Sequence, residues 1–523
     1  MIDQNANQMD ASTWSLHKPQ VTGANGLVAA QHYEAAEVGA QILSEGGNAM
    51  DAAVAAALVL SVVEPWLSGI GGGGFLLHAA ADGTVDALDF NLVSPQALDP
   101  ADYPLAGGTD GDWFDWPAVE GNRNLIGGGS ICTPGAVAGL AAALERFGTL
   151  SWEEVLAPAI EIAERGMTVD WFADLAFAVD RPNLLQNAAA TALFLDPGLQ
   201  QAHPHTAASK RLPMPKKAAI LRRLGQAGAR DFYEGETAQL ILDDLSSAGS
   251  CLSAQDFRDY EVTWLKPSQE TYRDREICVI PGLSGGPSLL RAMRALSEHD
   301  MRALPDAERA AAYAQACRGA YEYRLKHLGH AAAGEDCTSH LSVIDKAGNM
   351  VSLTNTLLSR FGSKVVLPQS QIVMNNGMMW FDPRPGQPNS IAPGVKPLAN
   401  MTPVITLRNG RPEIALGAAG GRQIFPAVLQ ILSYLIDAGD TPEAALHRPR
   451  IDASTATILV DRKAAPDVAT AISEHYAVQL TDNTVYPVQF AIPSLVQADS
   501  KSALAAAASH PMSPWAAAAG AAK

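Results

Sequence analysis

The chain has 523 residues, 47% of them hydrophobic and 18% charged, a globular composition with material for a large core. Its net charge of −18 repels phosphate backbones and anionic lipid, so neither nucleic acid nor a membrane surface is an expected partner. The 5 cysteines, Cys132, Cys251, Cys278, Cys317 and Cys337, are widely spaced with no C-x-x-C, which argues against a disulfide framework or a zinc site.

The N-terminal stretch has neither a basic start nor an apolar core of the signal-peptide kind, and the longest apolar run, 52–63, is too short to span a bilayer. A cytoplasmic protein is expected. Residues 28–43 carry helical periodicity, stopped by Gly46 and Gly47. Asn48 is placed to N-cap a second helix, AMDAAVAAALVLSVV. SGIGGGGFLLHAA reads as a glycine loop entering a strand, with GTVDALDF as its hairpin partner. GIGGGG formally matches a dinucleotide fingerprint, but a helix precedes it and a strand follows, the reverse of the required context.

Helices are expected over 133–148, 152–165 and 231–249, with a short one capped by Ser253. The basic run 209–217 reads as a solvated loop. REICVIPG predicts a strand, GPSLLRAMRAL a helix, and 306–328 a long helix capped by Asp306. After Cys337 the pattern turns to strands, at 339–345, 350–357, 371–375, 402–407 and 412–416, before a helix over 426–438. The alanine-rich tail from Lys501 is expected to be loosely ordered at its end. His203 and His205 sit in a polar loop, and His327 and His330 lack a third ligand nearby, so no metal site is expected. Blocks of helices and hairpins without a long linker favour sheet and helix layers in one body.

The stretch EDCTSHLSVIDKAGNMVSLTNTLL, 335–358, holds two strands around a turn at 345–349. Centring that turn on Ala347 pairs residues equidistant from it, which sets Thr338 opposite Thr356 on one face. Facing threonines are common in sheets, and a structural pair is one reading. The other makes Thr338 a nucleophile. A threonine hydroxyl needs a base, and no His-and-Asp arrangement stands at a suitable spacing. His340 reads as a packed, hydrogen-bonded residue. The remaining base is the α-amine of Thr338 itself, which exists only after the Cys337–Thr338 bond is cut, and whose pKa of about 7.7–8.0 suits the task.

TSHLSVIDKAGNMVSLTNT resembles the start of the small subunit of γ-glutamyltranspeptidases, a family of self-cleaving N-terminal-nucleophile hydrolases. GGNAMDAAVAAALVLSVVEPWLSGIGGGGF (46–75), TPGAVAGL (133–140), DFYEGETA (231–238) and LGAAGGRQ (416–423) resemble the family in order and spacing. The resemblance implies an α+β fold, a four-layer αββα sandwich. It implies a large subunit 1–337 and a small subunit 338–523 in one intertwined body, cut between Cys337 and Thr338. It also implies Thr338 as nucleophile, Thr356 as its helper, and the backbone N–H groups of Gly420 and Gly421 as the oxyanion hole. No cofactor and no metal are implied. The partners implied are a small-molecule amide substrate and the other subunit in a heterodimer, with a dimer of heterodimers left open.

The sequence departs from the family where a γ-glutamyl head group is held. Asn91 stands where the family has an arginine, Ala399 and Asn400 where it has paired serines, Leu358 where it has asparagine, and Gly377 and Trp380 where it has Gln and Asp. These changes remove a bidentate carboxylate clamp and ammonium partners. NNGMMWFDP looks like the divergent branch that includes cephalosporin-acylase-like and small-amide hydrolases. Arg422, after the oxyanion glycines, has two readings, a carboxylate partner or a structural ion pair. The expected function is self-cleavage, then hydrolysis of a γ-glutamyl or related acyl amide through an acyl-threonine, mainly to water. The alternatives are a true γ-glutamyltransferase or glutathione hydrolase and, from another class, an uncleaved, non-catalytic binding protein.

Overall fold

The computed structural model describes residues 16–109, 116–196, 210–330, 339–499 and 502–522. Two seven-stranded antiparallel sheets form its centre. In spatial order the first holds Val21–Gly23, Ala505–Ser509, Ile492–Ala498, Arg411–Ala419, Val404–Arg408, Arg275–Val279 and Ser268–Tyr272. The second holds Ala517–Gly520, Gly26–Ala30, Ser339–Asp345, Met350–Thr356, Gly73–Ala79, Val85–Phe90 and Thr263–Leu265.

Strand alternation gives each sheet two apolar faces, so a helix layer or the other sheet must cover each one. Leu27, Ala29, Phe75 and Leu77 of the second sheet share one buried cluster with Ile405, Ala415 and Val496 of the first. Val28, Leu76, Leu341, Val343 and Val351 instead pack under the helices Ala49–Val63 and Ala136–Phe147. On the far side, Ile277, Val279, Ile414 and Leu495 pack under Gly286–Ser297, Asp306–His327 and Ile424–Ser433. The layers are helix, sheet, sheet, helix.

Asn48 caps the buried helix Ala49–Val63 in a capping box with Asp51, as its position predicts. The helices Trp152–Arg165 and Ala254–Arg258 also stand where expected, the latter capped by Ser253. Other expectations change. Residues 28–30 are strand, not helix; the helix starts at Tyr33. Leu27, Val28, Ala29 and Ala30 are fully buried between two strand partners, one from the hairpin and one from the alanine-rich tail. That tail, expected to be loosely ordered at its end, supplies Ala505–Ser509 to one sheet and, near its end, Ala517–Gly520 to the other. Small side chains suit it to these places.

Gly235 splits the helix expected over 231–249 in two. Pro305 rather than Asp306 is the N-cap residue of the long helix. Residues 371–375 make only an isolated bridge, Val366 with Val373. The basic run is not a solvated loop throughout: Lys210–Leu212 pairs with Met167–Val169, and Lys217 is buried in the helix Pro215–Ala227, its ammonium on the Ser61 carbonyl. His203 and His205 lie outside the described residues. No helix among the described residues is long and apolar enough to cross a membrane.

Candidate active site

The hairpin Ser339–Asp345/Met350–Thr356 has the register expected of a turn centred on Ala347, with pairs running from Ser339–Asn355 to Ile344–Met350. Asp345 holds the turn. Its carboxylate accepts from the N–H groups of Ala347 (2.9 Å) and Asn349 (3.0 Å) and from Asn349 Nδ2 (2.8 Å). The same carboxylate accepts from the N–H of Ala49, tying the turn to the first residue of the buried helix. Cys337 and Thr338 lie outside the described residues.

Thr356 ends the second strand, fully buried, with its Oγ1 accepting from Leu358 N–H at 2.8 Å. His340 is not placed to act as a base. Its ring lies between the sheets, Nδ1 at 3.0 Å from Thr354 Oγ1 and Nε2 at 2.9 Å from Ser342 Oγ, and burial pushes its pKa down to about 3. On the opposite face, Glu64 follows the buried helix near Ser339. Burial pushes the Glu64 carboxyl up to about 8, a shift that the Ser339 hydroxyl opposes.

Gly420 and Gly421 stand where the strand Arg411–Ala419 gives way to the helix Ile424–Ser433. Both have positive φ, +133° and +61°. A Cβ at Gly420 would lie 2.7 Å from Ala491 Cα, so the turn requires glycine on steric as well as torsional grounds. Such a turn presents backbone N–H groups without side chains in the way, the property an oxyanion site needs.

Gly420 and Leu358 line one cavity of about 640 Å³. Its walls are largely apolar, from Trp66, Phe172, Leu175, Val179 and the 485–488 loop, with Asp180, Arg360 and Lys364 among the polar groups. The loop after Thr356 is bent through left-handed conformations at Leu358 (φ +83°), Phe361 (+60°) and Lys364 (+64°). Each costs about 1–2 kcal/mol for a side-chain-bearing residue. Hydrogen bonds hold the loop there, from Ser359 N–H to Asn376 Oδ1 (3.2 Å) and from Phe361 N–H to the Trp66 carbonyl (2.8 Å).

The positions at which the family resemblance puts a glutamyl pocket are otherwise packed away. Asn91 is fully buried, its Nδ2 donating to the Pro397 carbonyl at 3.0 Å and its Oδ1 accepting from Leu92 N–H. Trp380 and Ala399 belong to the core between the sheets. Gly377 sits against Cys132, where a Cβ would lie 2.5 Å from the sulfur. Asn400 is buried; its Nδ2 and the Trp380 Nε1 lack hydrogen-bond partners among the described residues. Of these positions only Leu358 reaches the cavity. Arg422 is not among the described residues that line it; the Asp452 carboxylate feels its charge. Sequence reasoning passed over Arg360, Lys364 and Asp180. Two cations within eight positions of Thr356 were a faint signal.

Comparison with known proteins agrees with this architecture. The structure matches cephalosporin acylase from Bacillus halodurans with a TM-score of 0.85 at 23% identity, covering 98% of this chain and 99% of that one. The γ-glutamyltranspeptidase of Helicobacter pylori superposes with a TM-score of 0.51 at 28% identity, over 61% of this chain and 86% of that one. The fold is thus the αββα sandwich of N-terminal-nucleophile hydrolases. In sequence, the gamma-glutamyltranspeptidase family model matches residues 35–337 and 330–519. The acylase ACY 1 proenzyme of Pseudomonas sp. (strain V22) is 31% identical over 477 residues, 84% of each chain. The glutathione hydrolase proenzyme of Bacillus subtilis (strain 168) is 30% identical over 498 residues, 83% of this chain and 82% of the relative. The chain belongs to the γ-glutamyltranspeptidase family and is an enzyme with that family's hydrolase and transferase chemistry.

Proposed function

We propose that this chain cuts itself between Cys337 and Thr338 and then, as a large subunit 1–337 and a small subunit 338–523, hydrolyses an amide whose acyl group lacks the γ-glutamyl head. The observation that carries the reading is the hairpin register. The described pairs end at Ser339–Asn355; one more step of the same register would put Thr338 opposite Thr356, as the catalytic reading requires. Thr356 Oγ1 accepts from Leu358 N–H, which leaves its own O–H available to donate to the nucleophile that this reading requires.

In maturation the Thr338 hydroxyl attacks the Cys337 carbonyl. The peptide C–N bond breaks with the proton passing to nitrogen, and an ester forms. Water hydrolyses the ester to the Cys337 carboxylate and a free Thr338 α-amine. In turnover that amine takes the hydroxyl proton as Oγ attacks the substrate carbonyl, and the backbone N–H groups of Gly420 and Gly421 bind the oxyanion. The proton goes to the departing amine. Water then releases the acid and restores Thr338.

The packed positions Asn91, Gly377, Trp380, Ala399 and Asn400 support the substrate part. No arginine or acidic side chain stands at any of them to grip an α-carboxylate or α-ammonium. The test of the catalytic part is the purified chain itself. Wild type should separate into fragments of about 35 and 20 kDa, their proportional shares of its length. The smaller should begin Thr-Ser-His-Leu-Ser. Thr338→Ala should stay whole. A whole wild-type chain, or another N-terminus, defeats the assignment.

A further inference from the structure

We infer that the face of the helix Trp171–Leu184 on the cavity beside Gly420 is a subsite for an extended apolar group of the substrate. The inference rests on the proposed function, in which the amide reacts beside Gly420. Phe172, Leu175, Ala176 and Val179 line the cavity. Their spacing of three, four and seven residues makes one stripe of an α-helix. A second stripe, Ala173, Phe177 and Leu184, packs into the core. A helix on a folded body needs one apolar stripe for its core, and this one has two. Phe172 rests in part on that core, but Leu175 and Val179, both half-buried, join none of the buried clusters among the described residues. The 485–488 loop adds Val485 and Val488, also half-buried and outside those clusters, and Tyr486, 48% exposed. Apolar side chains from two distant segments thus meet at one cavity and stay uncovered there, the surface that an apolar ligand removes from water.

The loop is tied to the glycine turn. Thr484 Oγ1 donates to the Pro487 carbonyl at 2.9 Å within the loop, and just beyond it Gln423 Nε2 donates to the Gln489 carbonyl at 2.9 Å. Arg450 Nη2 donates to the carbonyl of Ala491, the residue packed against Gly420, also at 2.9 Å. The polar groups that the helix brings to the cavity come after Val179, at Asp180 and Asn183, and Asp180 is paired with Arg360 at 3.3 Å. The stripe from Phe172 to Val179 is therefore uninterrupted by charge. Over it the helix rises about 10 Å, which an extended octyl chain spans. The ligand class is an amide with an alkyl or arylalkyl group, carried on either the acyl or the amine side.

Calorimetric titration of the purified protein with ketones, which have no bond to hydrolyse, tests the subsite without turnover. 2-Octanone should bind wild type at least about tenfold tighter than 2-butanone, since each buried CH₂ adds about two- to fourfold. Leu175→Asn and Val179→Asn should each lower that ratio about threefold or more. Leu185→Asn, an exposed position at the end of the same helix and not among the described residues on the cavity wall, should leave it unchanged. Kinetics on the matured enzyme then name the side of the amide. Acetyl, butyryl and hexanoyl 4-nitroanilides probe the acyl side, and the acetyl amides of 4-methylaniline and 4-butylaniline the amine side. In one series kcat/KM should climb about twofold or more per CH₂. Equal binding of the two ketones, no binding of either, a ratio unchanged in both cavity variants or lowered equally in Leu185→Asn, or two flat series on an active enzyme overturns the inference. A chain that does not cut itself but shows the ratio that depends on Leu175 and Val179 would defeat the catalytic reading and leave the apolar subsite standing.

Discussion

The imidazole of His340 occupies the space that a side chain at Gly417 would need: a Cβ there would lie 2.5 Å from both ring Cε1 and Nδ1. The two residues belong to different sheets, so the ring is a spacer between the sheets beside the hairpin mouth. Its two nitrogens are taken by Thr354 and Ser342, and burial keeps it neutral. His340 therefore has a structural role and is not the base for the proposed nucleophile.

Gly417→Ala should force the sheets apart or the ring out of place. Overpacking of this kind costs about 1–3 kcal/mol, seen as a Tm a few degrees lower. Gly417→Ala combined with His340→Ala should recover part of that loss. If Gly417→Ala melts with wild type, the ring is not a fixed spacer.

If one hydroxyl orients the proposed nucleophile in both steps, Thr356→Ala should slow maturation and turnover together. Losing a hydrogen bond worth about 1–2 kcal/mol predicts an effect near tenfold or somewhat more. Gel densitometry of precursor decay and steady-state kinetics measure the two. Wild-type values in both would reduce Thr356 to a member of a sheet pair.

Glu64 makes stability depend on pH. Its folded pKa is raised from 4.5 to about 8 by burial. Between those values the unfolded carboxyl ionises while the folded one stays protonated, so its contribution is full below about pH 4.5 and lost as pH rises towards 8. Glu64→Gln cannot ionise and should raise Tm at pH 8 while changing it little at pH 4.5. Thermal denaturation at the two pH values decides this; a Tm lowered equally at both would show that only the fit of the carboxyl matters.

Glutaryl anilides should outrun γ-glutamyl anilides in kcat/KM on the matured enzyme, and transfer to dipeptide acceptors should be slight. Binding energy that positions the acyl group makes its carbonyl reactive, and the buried Asn91, Trp380 and Ala399 offer a glutamyl α-carbon no ionic partner. A clear preference for γ-glutamyl would instead favour a transferase or glutathione hydrolase with a differently built pocket.

The sequence by itself determined what is local. The turn chemistry of Asp345 to Asn349 sets the hairpin register, because that register depends only on where the turn is centred. The Asn48 capping box and the helix behind it follow from neighbouring residues for the same reason. The tertiary structure decided what depends on distant partners. Residues 28–30 have helical periodicity, yet they pair with 341–343 and 517–519, and burial between two strands outweighs a helical preference of a few tenths of a kcal/mol per residue. The alanine-rich tail looks too featureless to fold, but each of its strands pairs with strands from elsewhere in the chain. Asp180 and Arg360 are far apart in sequence and meet only because the helix Trp171–Leu184 and the left-handed loop after Thr356 face the same cavity. Side-chain charge is written in the sequence; which cavity it faces is a matter of packing.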